Sequence, residues 1–200
     1  QGLSRPMMDA NTGDADGATH TPSLVGERLT TPRAAAVAGI LFAALLTTAY
    51  VLLRLSVPAE IGDSSAWLAD NTDRVKLALW LIPFAGIAFL WFIGVIRDRL
   101  GDLEDRFFSS VLFGSGLLFL AMTFVSAAIA GALIVAYEAN PQLVVDSELY
   151  LFARATMFRI SNVFGVRMAG VFMMSVGTIW FRSRTMPRWL VVITYLLAAV

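Results

Sequence analysis

Four long apolar runs joined by short charged segments leave this chain few ways to fold. They cover about Ala34 to Val57, Val75 to Ile96, Phe107 to Tyr137 and the later part of Ser147 to Phe181, and a fifth begins at Trp189. A helix rises about 1.5 Å per residue, so roughly 20 apolar residues cross the ~30 Å hydrocarbon core of a bilayer. Within that core every backbone N–H and C=O has to be satisfied by the protein, which restricts spanning segments to helices or closed barrels. The expected fold is therefore an all-α membrane protein, an antiparallel bundle of five visible transmembrane helices. The last run, Trp189 to Val200, rises only about 18 Å, so we expect it to be interrupted and the complete protein to carry six spans.

Composition agrees. The chain is 58% hydrophobic and 15% charged, with a mean hydropathy of +0.71, whereas soluble domains carry about 25% charged residues. Net charge is zero and no basic block occurs, so nucleic acid has no place among the expected partners. Cysteine is absent, which excludes disulfides, thiolate metal sites and thiol nucleophiles. The single histidine, His20, lies in a polar tail, so neither a metal nor a haem is expected, and no cofactor.

Residues 1–30 are rich in Asp, Gly and Thr without apolar periodicity, and read as a disordered cytoplasmic tail ahead of a transmembrane unit over 31–200. Gln1 is not an initiator, and Met7 or Met8 is the candidate start. Thr31-Pro32 supplies a cap and a first-turn proline. A cleaved signal peptide ending near Val57-Pro58-Ala59 is the rival for the first run, but the run is too long and contains Arg54. Pro83 removes one backbone hydrogen bond from the second.

Basic residues set the orientation. Arg5, Arg28, Arg33, Arg97, Arg99, Arg106, Arg182, Arg184 and Arg188 fall on one side; Arg54, Arg74, Lys76, Arg154 and Arg159 fall on the other. The positive-inside rule then places the N-terminus in the cytoplasm and the acidic segments around 58–74 and 138–150 outside. The second of these is expected to be partly helical.

The run from Ile82-Pro83-Phe84 through Trp91-Phe92-Ile93-Gly94 to Arg97-Asp98-Arg99-Leu100-Gly101 is followed by Glu104-Asp105-Arg106-Phe107-Phe108. With Arg167-Met168-Ala169 and Pro187-Arg188-Trp189-Leu190, it resembles a group of uncharacterised bacterial, mainly actinobacterial, multi-pass integral membrane proteins. The resemblance covers roughly residues 32 to 200. It implies an integral protein of the cell membrane and carries no activity, substrate or catalytic residue.

Arg167 is the residue whose placement demands an explanation. It lies among Val166, Met168, Ala169 and Gly170, and a charge at the centre of a span costs roughly 2.5–3.5 kcal/mol on insertion scales. Counting back from Phe181 places it about 21 Å from the inner boundary, in the outer third, where an arginine snorkels towards headgroups. Pairing with Glu138, Asp146 or Glu148 is the companion reading. At 100° per residue Thr156, Arg159, Asn162 and Arg167 share one arc, so Arg159, Asn162 and Arg167 are the candidate site for an anion or anionic headgroup. Spacings of five and eight residues along Arg154, Arg159 and Arg167 do not match a voltage sensor, and no acidic residue falls inside a run to relay protons.

Other features have ordinary readings. The 97–106 loop interleaves Asp98, Asp102, Glu104 and Asp105 with three arginines, which favours intraloop ion pairs over a metal site. Ala127-xxx-Gly131 and Gly165-xxx-Ala169 are small-xxx-small pairs suited to helix packing, and they admit a homo-oligomer or another membrane-protein partner. Met168, Met173 and Met174 are packing filler. Serines and threonines inside the spans lack a neighbouring base. With no catalytic residue in view, the expected function is a non-enzymatic envelope protein for assembly, interaction or sensing. The alternative is a small transporter or channel that binds an anionic solute at the arginine surface, and an intramembrane lipid-acting enzyme comes last.

Overall fold

The computed structural model describes residues 31–58, 67–100, 106–145, 148–183 and 187–199. Every element among them is helical. The tail before residue 31, the acid-rich residues 101–105 and Asp146 lie outside the described residues.

Helix α1 spans Thr31–Ser56, with Pro32 in the first turn, where a missing N–H breaks no helical bond. It closes with the Val57 N–H donating to the Leu53 carbonyl at 2.8 Å, just ahead of Pro58, which disfavours further helix. Helix α2 spans Trp67–Leu100 and carries Pro83 inside it. It begins well before the apolar run at Val75, so part of the expected 58–74 connection is helix. Charged residues such as Asp70, Asp73 and Arg74 can continue a helix once it leaves hydrocarbon. Helix α3 spans Arg106–Ala139 and ends where the Asn140 N–H bonds the Ala136 carbonyl at 3.0 Å, before Pro141.

The return path is segmented. A short α4 (Pro141–Val145) precedes α5 (Glu148–Phe158), then a π-helical segment (Arg159–Gly165) and α6 (Val166–Ser183). In the π segment the Val166 N–H bonds the Ser161 carbonyl, five residues back, so each turn holds an extra residue. The uniform 100° step from Thr156 to Arg167 therefore does not hold. Helix α7 spans Arg188–Ala199. Four segments are long and apolar enough to cross a membrane: Ala35–Ser56, Asp70–Arg97, Phe107–Ala139 and Glu148–Phe181; α7 is a shorter apolar helix. The chain is consistent with a multi-pass membrane protein.

Packing is layered around α3, which meets α2, α4, α5, the π segment and α6, while α7 lies on α6. Helix α1 comes close only to α2. Phe42, early in α1, stacks 4.5 Å from Phe89, late in α2. Ala49, nearer the end of α1, packs with Ala78 and Ile82. Two further cores lie at opposite ends. Leu68, Val75, Leu133, Ile134, Val144, Tyr150 and Ala153 fill the end where α1 gives way to α2. At the other end Phe89 is buried against Phe119 and Phe172, with ring centroids 5.7 Å and 5.3 Å away, above Ile93 and Leu112. Large apolar side chains such as Ile40, Leu55, Trp91 and Phe152 are each at least 70% exposed, as lipid-facing residues should be. Gly170 lets α7 approach, since a Cβ there would stand 2.9 Å from the Ala198 carbonyl oxygen.

Candidate functional site

Because the α1 backbone comes close only to that of α2, space remains between α1 and the α5–π stretch over the face of α3. A cavity of about 400 Å³ occupies it. Small residues make the room: Ala49 on α1 and Ala127 and Ala130 on α3 all line it. Most of the remaining wall is aliphatic, including Leu53, Leu79, Ile82 and Leu133.

Its polar groups sit at two levels. Arg54, in the last turn of α1, and Arg154 of α5 lie at the end near Pro58. Arg154 Nη2 donates to the Pro58 carbonyl at 2.8 Å, so α5 is tied to the chain just after α1 across that end. Among the described residues no carboxylate lines the cavity. The two guanidinium groups thus stand beside a mainly aliphatic space.

The deeper level is a set of hydroxyls and one amide. Ser161 Oγ donates to Ser126 Oγ at 2.8 Å, linking the π segment to α3. Thr123 Oγ1 donates to the Phe119 carbonyl at 2.9 Å and also meets the Tyr50 hydroxyl. Asn162 Nδ2 reaches the Phe158 carbonyl at 3.2 Å. These groups are held by the protein's own donors and acceptors, as groups away from water must be. A second cavity of about 160 Å³ between α3, α6 and α7 shares Tyr50, Thr123 and Ser161 with the first.

The three residues singled out by sequence are divided. Asn162 lines the cavity. Arg159 and Arg167 are exposed and line neither cavity. Arg167 Nη1 donates to the Val163 carbonyl at 2.8 Å, one turn back on its own segment, the direction in which helical side chains lean. The expected carboxylate partner Glu138 pairs instead with Lys76, which links α2 to the end of α3. Sequence reasoning gave no site role to Arg54, Tyr50 or Ser126. Arg97, read within a solvated loop, lies in α2 with its guanidinium 4.8 Å from the Phe113 ring centroid. The described residues contain no cluster of metal-ligating side chains.

Fold and site together describe a helical protein, consistent with a multi-pass membrane protein, with an arginine-flanked cavity between its helices. Comparison with protein-family models, with curated proteins and with solved structures finds no match to the chain.

Proposed function

We propose that this chain is a non-enzymatic integral protein of the cell membrane that holds an anionic, largely apolar molecule in the cavity between α1, α3 and α5. It would act in sensing or stabilising a component of the membrane. In this reading the helices form an antiparallel bundle with the N-terminus cytoplasmic, and the Arg54–Arg154 end faces outward. The same group of multi-pass envelope proteins named from sequence is the proposed affiliation. The observation that carries the reading is the placement of Arg54 and Arg154 together at one end of a mainly aliphatic cavity. Arginine is suited to this role because its charge persists at any accessible pH and its fork matches carboxylate and phosphate.

The test is equilibrium binding of dodecyl phosphate to the full chain in phosphatidylcholine nanodiscs. Wild type should bind it, dodecanol should not compete, and Arg54→Gln with Arg154→Gln should weaken binding at least tenfold. Unchanged affinity in that double variant overturns the reading.

Transport of the same anion is the second reading. It is favoured by the second cavity, which adjoins the first at Tyr50, Thr123 and Ser161. Flux of the bound anion across proteoliposomes, reduced by Tyr50→Trp, separates transport from simple binding.

A further inference from the structure

The two cavities share three lining residues and no others: Tyr50 of α1, Thr123 of α3 and Ser161 of the π segment. Each comes from a different element, and their hydroxyls make contacts at the boundary. Tyr50 meets the Thr123 hydroxyl, and Ser161 Oγ donates to Ser126 Oγ at 2.8 Å. Beyond them the smaller cavity is lined by apolar side chains and glycines. Close packing bounds it on the far side. Phe119 lines it and has its ring centroid 5.7 Å from that of Phe89. Gly170 brings α6 so near α7 that a Cβ there would stand 2.9 Å from the Ala198 oxygen. The smaller cavity is therefore an inner chamber, and the way to it from the Arg54–Arg154 end runs past these three side chains.

Two of the three sit on elements that can move. The α1 backbone comes close only to that of α2, so no close backbone packing holds Tyr50 against α3. Ser161 belongs to the π segment, where the Val166 N–H bonds the carbonyl five residues back. A step to ordinary α bonding re-aims the side chains of such a turn without breaking the helix. Hydrogen bonds between membrane helices are individually weak, so little holds this boundary shut.

We propose that Tyr50, Thr123 and Ser161 form a gate between two chambers of one path, closed in this structure and opened by loss of the Tyr50–Thr123 and Ser161–Ser126 contacts. It serves a small amphiphilic solute, whose polar part suits the hydroxyls and whose hydrocarbon part suits the inner chamber. The use of the gate rests on the transport reading above; its existence is read by thiol labelling without any flux, so the two fail separately.

In a chain without cysteine, Ala130→Cys puts one thiol in the larger cavity and Ala169→Cys puts one in the inner chamber. Each is labelled in phosphatidylcholine proteoliposomes with membrane-impermeant sulfonatoethyl methanethiosulfonate, applied from the side opposite the N-terminus. Ala130→Cys should react at least tenfold faster than Ala169→Cys. Tyr50→Phe with Ser161→Ala removes both hydroxyl contacts at almost no change in bulk. That pair should speed Ala169→Cys at least tenfold and leave Ala130→Cys within twofold, with the melting temperature near that of wild type. Equal rates for the two thiols in the otherwise wild-type chain, fast or slow, would mean that no gate stands between the cavities. If Ala169→Cys responds to Tyr50→Ala but not to Tyr50→Phe with Ser161→Ala, the boundary is a fixed wall and the proposal fails. If it responds to neither, the cavities are not one path and the proposal fails. Gating without flux of dodecyl phosphate would uphold the gate and remove the transport reading alone.

Discussion

Arg154 Nη2 reaches the carbonyl of Pro58, ninety-six residues away in sequence, at 2.8 Å. The bond joins α5 to the chain leaving α1, two elements that make no close backbone approach to each other. One charged side chain thus sets the distance between the two walls of the cavity at its arginine end. A hydrogen bond with a charged partner contributes about 1.5–3 kcal/mol, and a half-buried one in this position falls at the lower end. Arg154→Ala should lower stability by about 1–2 kcal/mol, seen as a lower melting temperature in detergent. Arg154→Lys should recover part of it.

Arg167 should behave in the opposite way. It is exposed and bonds only the backbone of its own segment among the contacts the structure shows. Surface substitutions without a buried partner stay within about ±0.5 kcal/mol. Arg167→Ala should therefore purify at wild-type yield and melt at the wild-type temperature. A loss as large as that of Arg154→Ala would mean that Arg167 has a structural partner.

The close approach of α7 to α6 depends on Gly170, where a Cβ would stand 2.9 Å from the Ala198 oxygen. Backbone cannot yield as a flexible side chain can, so Gly170→Val should cost about 1–3 kcal/mol through overpacking. Gly114 has nothing within 4 Å of the added methyl. Gly114→Ala should be neutral or stabilising by up to ~1 kcal/mol, because alanine is the better helix former. Melting temperatures of the two variants side by side decide the point.

The hydroxyl pair Ser126 and Ser161, 2.8 Å apart, should show a coupling of about 0.6 kcal/mol in a double-mutant cycle with alanine, the typical value for such bonds between membrane helices. A coupling near zero would detach the π segment from α3 energetically.

Much of the scaffold was legible in the sequence because hydrocarbon imposes one simple demand, length of apolar run. The expected 34–57, 107–137 and 189–200 lie close to α1, α3 and α7. The start of α2 was not legible, since Trp67 to Arg74 carries charges and hydropathy says nothing about helix outside the bilayer. The π segment was hidden for another reason. It depends on which carbonyl each N–H selects, here Val166 to Ser161, and on the Ser161–Ser126 bond to a distant helix. That one altered turn separates Asn162 from Arg159 and Arg167 and undoes an arc drawn from uniform spacing. The cavity was equally out of reach, because it forms where the α1 backbone stays away from those of α3 and α5. Arg154 stood in the arginine series, but nothing local marked it as the member that reaches across to Pro58.

The chain has no cysteine, so a single Ala130→Cys places one thiol in the cavity wall. The decisive measurement is its labelling by a membrane-impermeant sulfonated maleimide, applied from the side opposite the N-terminus, with and without saturating dodecyl phosphate. Our account predicts labelling that dodecyl phosphate slows at least tenfold, with that protection lost in the Arg54→Gln, Arg154→Gln background. A thiol that does not react from that side, or that reacts at the same rate with dodecyl phosphate present, would contradict it.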